Sequence, residues 1–268
     1  VVDEARASKT MVDILQGYGS VPDPRLTLIL SKSQAWVQGK DGAEEWKGVP
    51  NGLPVTELSL PEYDNNHNSC IWGYMWGYDW NSAEKGDNIS KPKTDADFTP
   101  LGLMNYSEVC FLKAEAALRG WQGAGDAKTN YENGIRASFE EMRANAPKDS
   151  YSKSNDDKYI SEGNVAWNNA DSFEAKLEKI ITQKWIGIYP NSEEAWAEFR
   201  RTGYPKLNPV KQSLEPTINP KNGEFIKKLR YVDNELSNNK EYATDPTLNG
   251  GQGDGLSVRV WWDTARYK

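Results

Sequence analysis

From residue 105 onward the apolar positions fall at the three-and-four spacing of amphipathic helices. Asn105 and Glu108 read as a capping box for a helix carrying Val109, Leu112 and Ala116, with small Ala114 and Ala117, that stops at Gly120. Asp126 opens a partner helix on which Tyr131, Ile135, Ser138, Phe139 and Met142 share a face. Small residues on one helix and a large stripe on the other let two axes approach closely, as in tetratricopeptide-type hairpins. After a polar stretch from Pro147 to Asn169, a second pair follows. Asp171 with Glu174 starts a helix bearing Phe173, Leu177, Ile180, Ile181, Lys184, Trp185 and Ile188. Asn191 with Glu194 starts the next, which carries Trp196 and Phe199 and stops at Gly203 before Pro205. The pattern predicts a mostly α fold with little β.

The front of the chain lacks this periodicity. Asp3 to Leu15 reads as a short helix ending at Gly17, Val21 to Leu26 as turn chemistry set by two prolines, and Leu28 to Leu30 as a strand. A long loop-rich region with Trp36, Trp46, Asn51 and the Val49–Pro54 turn then leads to Trp72-Gly73-Tyr74-Met75-Trp76-Gly77-Tyr78-Asp79-Trp80. Every even position from 72 to 80 is a large aromatic. In an extended chain all five rings share one face. A helix would split them between two sides, and its two glycines would cost about 2 kcal/mol together. Two readings fit the extended form: a packed core strand, or a wall meeting ligand, with Asp79 and Asn81 as polar groups at its edge. Residues 81–100 read as exposed loop. The tail from Leu207 is punctuated by Pro209, Pro216, Pro220 and Pro246, holds the glycine cluster 250–255, and ends in a β-like stretch, Ser257 to Trp262; it reads as an irregular wrap around the helices.

Composition narrows the chemistry. The 268 residues carry 39 acids against 32 bases, a net charge of −7, and no basic stretch forms a nucleic-acid footprint. No apolar run approaches the roughly 20 residues of a membrane span. Cys70 and Cys110 lack zinc spacing and read either as a pair or as two buried thiols; the single histidine, His67, in a polar loop, precludes a two-histidine metal site and reads as an ordinary surface residue. The 250–255 cluster lacks the Lys-Ser/Thr of a phosphate loop, so no cofactor is expected. Glu193, Glu194 and Glu198 read as first-turn and solvent-face acids rather than a glycosidase pair. Arg200 and Arg201 read as groups that make structural salt bridges or cap carbonyls, with binding of anionic sugars as the lesser alternative. Asp254 and Asp263 are weighed as calcium ligands, but no EF-hand spacing accompanies them.

Three strings carry a family resemblance: LMNYSEVCFLKAEAALRGW at 103–121, IITQKWIGIYPNSEEAWAEFRRTGYPKL at 180–207 and RVWWD at 259–263. In this order they resemble the SusD/RagB family of surface nutrient-binding lipoproteins of Bacteroidetes-type bacteria. The similarity starts near Asp23-Pro24-Arg25. It departs at Lys227–Val232, where the family usually shows an arginine-rich stretch leading to Tyr-Pro. The resemblance implies tetratricopeptide-like hairpins supporting a loop-rich ligand-binding face. It divides the chain into a loop-rich binding region at 1–100, two hairpins at 101–206 and a C-terminal wrap at 207–268, one SusD-like domain without its N-terminal half. It further implies non-catalytic capture of a glycan at the outer membrane, a lipid anchor on the absent N-terminal portion, and a SusC-like TonB-dependent transporter as partner. Peptide capture, as in the RagB branch, and glycoside hydrolysis are the alternatives. On this reading the ligand-binding residues are Trp46, Trp72, Tyr74, Trp76, Tyr78, Asp79, Trp80 and Asn81, the rings stacking on sugar faces and the polar groups taking hydroxyls.

Overall fold

The computed structural model describes residues 6–73, 102–146 and 151–263. Its principal helices are α1 (Lys9–Leu15), α2 (Tyr106–Leu118), α3 (Ala127–Arg143), α4 (Asp156–Ser161), α5 (Phe173–Gly187) and α6 (Ser192–Thr202). Shorter turns occupy the loops and the tail. Among the described residues the β structure amounts to two isolated bridges, Arg6 with Cys70 and Ser8 with Val49.

The α2–α3 and α5–α6 hairpins form where the spacing predicts them, but the helices start differently. Asn105 stands at the cap position of α2 without a capping side-chain bond. Glu141 of α3 does that work instead, accepting from the Ser107 amide at 3.0 Å and the Ser107 hydroxyl at 2.5 Å. An orphan first-turn donor is thus satisfied across the hairpin. The α5 cap is Ser172, which accepts from the Ala175 amide at 3.2 Å, while the predicted Asp171 takes Lys179 Nζ at 2.6 Å. Asp126 and Asn191 cap α3 and α6 as the sequence predicts, each accepting an amide three residues on. Gly120 and Gly203 take left-handed φ values of 76° and 78° after α2 and α6.

The tight packing of the first hairpin comes from glycine as well as alanine. A Cβ built on Gly134 of α3 would lie 2.6 Å from Cε1 of Phe111, and one on Gly187 of α5 3.3 Å from its Cε2. The fully buried Phe111 ring therefore sits against two bare backbones. Around it Ala114, Tyr131, Ile135, Phe139, Leu177, Ile180 and Ile181 close a core that also takes Tyr159 and Ile160 from α4. The polar stretch from 147 to 169 thus holds a short helix whose two apolar residues were not legible as a period.

A second core joins the front of the chain to the hairpins: Ala7, Val12, Ile14, Leu15, Leu26 and Leu28–Leu30 pack with Met142 and Ile186. Here two expectations are corrected. The first helix begins at Lys9, because Arg6 to Ser8 run extended, the Ala7 and Lys9 amides donate to Ser69 and Val49 carbonyls, and Ser8 caps the Met11 amide. Leu28 to Leu30 are not a strand: Leu26–Ile29 form a helical turn, started by the Asp23 carboxylate accepting the Arg25 amide at 2.8 Å. Burial on all sides explains the apolar run without a two-residue period.

Polar groups bind the parts together. Arg25 is fully buried, pairs with Asp23 at 2.6 Å, and donates to Ser138 of α3 and Gln183 of α5. Tyr159 of α4 donates to Asp23 at 2.6 Å and accepts from Gln183 at 2.9 Å. Burial opposes the Arg25 charge, yet Asp23 outweighs it and holds the guanidinium above its ordinary range; burial and Asp23 together raise the Tyr159 phenol. Lys184 of α5 lies 2.8 Å from Glu194 and Glu198 and 3.4 Å from Glu108. Arg201 bridges Glu198 and Glu115, and Arg119 also pairs with Glu115. Glu198, predicted on a solvent face, is therefore buried, because two cations draw it inward.

The tail lies across the helices without a strand at 257–262. Thr217 fixes the tail's end by accepting the Leu256 amide on its hydroxyl and the Ser257 hydroxyl on its carbonyl. Arg200 stacks 3.8 Å from the Trp196 ring centroid and 5.3 Å from that of Trp262, and donates to the Lys227 carbonyl. Asp254 and Asp263 pair with different cations, Lys228 and Arg259, rather than converging. Among the described residues no cluster of three potential metal ligands occurs, and no helix is long and apolar enough to cross a membrane.

Two outcomes follow from this packing. Gly134→Ala should lower stability in urea by about 1–3 kcal/mol through collision with Phe111, reversing the gain of about 1 kcal/mol that alanine usually brings to a helix. Burial favours the neutral Glu115 acid, but Arg201 and Arg119 outweigh it and hold its pKa below the ordinary value. Its contribution is thus complete above the unfolded carboxyl range, near about pH 4.3, and is lost as pH falls through the folded value. Glu115→Gln should be less stable at neutral pH and show a shallower loss of melting temperature below about pH 4.5.

Candidate functional site

The loop from 31 to 73 is tied at several points by backbone hydrogen bonds between separate segments, among them Ser33 to Glu45, Ala35 to Asn66 and Val49 to Ala7. The short run 69–73 is the best anchored. Ser69 donates its amide to Lys47 at 2.8 Å and accepts the Lys47 amide on its hydroxyl at 3.2 Å. The Cys70 carbonyl accepts from Ser31, the Ile71 carbonyl from the Tyr189 hydroxyl at 3.2 Å, and the Gly73 amide donates to Ile29 at 3.0 Å. At Gly73 a Cβ would stand 2.4 Å from the Leu28 carbonyl oxygen. No side chain fits there. The root of the aromatic stretch therefore lies directly on the turn that follows Arg25, with Gly73 buried and Trp72 half buried.

Preceding this root, residues 61–68 form a closed polar loop. Asp64 accepts from the Asn66 and His67 amides and lies 2.8 Å from His67 Nδ1. Burial works against the Asp64 charge, but the His67 amide and ring, aided by the Asn66 amide, hold its carboxyl below the usual range. Asn68, buried, donates to the Glu62 and Asp64 carbonyls. His67 is thus a loop-closing group, not merely a surface residue. The two cysteines are separate buried thiols.

Between this loop and α1 lies a cavity of about 220 Å³, with Trp46 and Tyr63 in its wall and Lys9, Asp13, Gln16, Glu44, Lys47 and Glu62 as polar lining. Trp46 packs on the front core from its other side. An aromatic wall ringed by carboxylates, ammonium groups and an amide suits a compact polyhydroxylated ligand, whose apolar face meets a ring and whose hydroxyls exchange hydrogen bonds at the rim. The volume is below the roughly 300–1,000 Å³ of drug-sized sites, and of its polar lining Lys9 is paired with Asp13 at 2.7 Å.

Of the residues the sequence singles out, Trp46 forms this wall and Trp72 stands at the start of the aromatic stretch. Both are joined through the Lys47–Ser69 pairing. Tyr74, Trp76, Tyr78, Asp79, Trp80 and Asn81 lie outside the described residues. Trp36 is half buried with Lys32 Nζ 5.0 Å from its ring centroid. The Asn51 carbonyl accepts the Lys211 amide, which ties that turn to the tail. Tyr63, Asp13, Gln16 and Glu62 are not legible in the sequence as cavity residues, since no periodicity links 9–16 with 44–63. A larger charged groove of about 780 Å³ runs beside Trp121 and Phe173, but Lys184, Arg119 and Arg201 are paired there with glutamates as described above.

Fold and site together define a class: a helical-hairpin scaffold that carries an aromatic cavity on anchored loops. The chain belongs to the SusD-like family, described as Susd and RagB outer membrane lipoproteins, whose sequence profile matches residues 2–263. A chitin-binding SusD homologue from Flavobacterium johnsoniae is similar at 31% identity and a TM-score of 0.64, over 96% of this chain and 49% of that one. SusD homologues from Bacteroides ovatus and Bacteroides uniformis align at 30% and 27% identity with TM-scores of 0.68 and 0.65, over 96% of this chain and 52% and 49% of theirs. The chain spans about half the length of these relatives. No curated protein matches it.

If Gly73 is bare because the Leu28 carbonyl occupies its side-chain space, Gly73→Ala should lower the urea midpoint by an amount corresponding to about 1–3 kcal/mol. Hydrogen exchange at the Ser31 amide, which donates to Cys70, should quicken in the same variant.

Proposed function

We propose that this chain captures an oligosaccharide without cleaving it, and that the face carrying Trp46, Trp72, Tyr74, Trp76, Tyr78, Asp79, Trp80 and Asn81 is where it does so. One observation carries the reading: the Trp46 cavity is stitched by the Lys47–Ser69 pairing to the root of a stretch with a large aromatic at every second position. One ring of the ligand enters the cavity between Trp46 and Tyr63, and the following rings lie along the stretch beyond Trp72. Kinship with a chitin-binding SusD homologue makes β-linked N-acetylamino sugars the first ligand to test. In the complete protein, a lipid anchor on the portion outside this chain would hold the site at the cell surface, and a TonB-dependent transporter would take the bound glycan onward.

Stacking on each aromatic contributes about 0.5–1.5 kcal/mol beyond area burial. The site works by summing several such contacts, and it releases its ligand readily because none is strong. In native gels containing glycol chitin, or a panel of other soluble polysaccharides, the parent chain should be retarded. Trp72→Ala, Trp76→Ala and Trp80→Ala should each weaken that retardation by about two- to tenfold, and Trp46→Ala likewise when its melting temperature confirms folding. Parent-like migration of all four variants against a retarded parent would remove this face from the site. Catalytic release of reducing ends by the parent would show the chain to be an enzyme.

A further inference from the structure

A cavity of about 560 Å³ lies where the C-terminal end of α6 meets two stretches of the tail, 222–227 and 252–259, and it shares no lining residue with the Trp46 cavity. Phe199 and Phe225 line it, packed edge to face at 5.0 Å. Among the described residues its charged lining is Lys206, Lys227 and Arg259 against Glu224, an excess of positive charge in a chain of net charge −7. Three of these four are already occupied. Lys206 reaches Glu178 at 2.9 Å, Arg259 pairs with Asp263 at 2.5 Å, and Glu224 accepts from the Asn219 amide at 2.6 Å and the Asn222 side chain at 3.2 Å.

Lys227 is the exception. Its backbone is fixed on both sides, the amide donating to the Leu256 carbonyl at 2.7 Å and the carbonyl accepting from Arg200 at 3.2 Å. Its half-buried ammonium makes no hydrogen bond or ion pair with any described residue and lies 4.8 Å from the Phe199 ring centroid. A ring face compensates a desolvated charge far less than a carboxylate does. Burial pushes the ammonium below its ordinary range; Asp263 pulls it back, and Arg259 and Arg200 push it down again. The free protein therefore holds this cation, near two others, at a cost that a bound anion would remove.

The rest of the lining suits a sugar. The volume falls within the roughly 300–1,000 Å³ of small-molecule sites, far more than an inorganic anion fills. The exposed Gln252 side chain makes no hydrogen bond to a described residue, so it can both give one and accept one. The half-buried Phe225 ring offers an apolar surface to the C–H face of a pyranose. We infer that this cavity binds an acidic sugar, whose carboxylate or sulfate meets the Lys227 ammonium while its hydroxyls use Gln252 and its apolar face rests on Phe225. The site is separate from the glycan-binding face proposed above and does not depend on it.

Isothermal titration calorimetry on the full chain, at constant ionic strength, compares digalacturonic acid and galactose 6-sulfate with the dimethyl ester of the first, with sodium sulfate and with the dipeptide Gly-Glu. At least one acidic sugar should bind with one-to-one stoichiometry, and the ester, the inorganic ion and the dipeptide should each be weaker by about tenfold or more. The tighter of the two sugars tells carboxylate from sulfate recognition. Lys227→Met keeps the apolar stem and removes an uncompensated charge, so its melting temperature should equal or exceed the parent's while binding falls by about tenfold or more. Lys227→Arg should restore most of the binding, and Gln252→Ala should weaken it by about two- to fivefold. Neither Lys227→Met nor Gln252→Ala should alter retardation in glycol chitin gels. No binding of either acidic sugar, equal binding of acid and ester, or parent-like affinity in Lys227→Met would overturn the inference. So would sodium sulfate or Gly-Glu binding as tightly as the sugars, which would leave a plain anion site. Loss of acidic-sugar binding in Trp72→Ala would overturn it too, by returning the ligand to the aromatic face.

Discussion

The structure depends on one buried charge. Arg25 follows the Asp23-Pro24 turn and is buried completely, where an isolated guanidinium would be prohibitive. Its position is tolerable because Asp23 neutralises it and Ser138, Gln183 and Tyr159 complete the hydrogen-bond network. Those partners come from α3, α5 and α4, so the network can be satisfied in only one arrangement of front loop and hairpins. Apolar packing alone would accept several registers. A charge with a fixed set of partners accepts one, which is the specificity a buried polar network supplies when every member is satisfied.

The consequence for the site is direct. The turn that Asp23 and Arg25 start places Leu28 and Ile29 in the front core with their carbonyls turned toward residue 73, and the Ile29 carbonyl receives the Gly73 amide. From that point backward, Cys70 and Ser69 are pinned to Ser31 and Lys47. Trp72 and Gly73 are therefore held at a defined place, a few residues along the chain from the Lys47–Ser69 pairing beside Trp46.

The back of the molecule uses charge differently. Lys184, Glu198, Arg201 and Glu115 link α5, α6 and α2 in a chain of ion pairs over the open groove beside Trp121. Each member has two or more partners, so that without Glu198, for example, Lys184 keeps Glu108 and Glu194 and Arg201 keeps Glu115. The tail is held by another device, the Arg200 guanidinium lying between the Trp196 and Trp262 rings, which fastens residues near the C-terminal end to α6 with little need for regular structure.

The sequence by itself determined the helical hairpins, because three-and-four spacing, capping residues at Asp126 and Asn191 and the glycine stops at 120 and 203 all act within a few residues of one another. It also determined the aromatic alternation from 72 to 80 and the family resemblance carried by three local strings. Only the tertiary structure decided which loops meet. Glu141 caps α2 from another helix, Glu198 turns inward to Lys184 of α5 as well as to its neighbour Arg201, and Tyr63 joins Asp13 around Trp46 across half a hundred positions. The run Leu28–Leu30 becomes a turn rather than a strand because burial on every side erases the period that would tell the two apart. Local chemistry is written along the chain, whereas a cavity is made by segments whose only relation is that folding brings them to the same place.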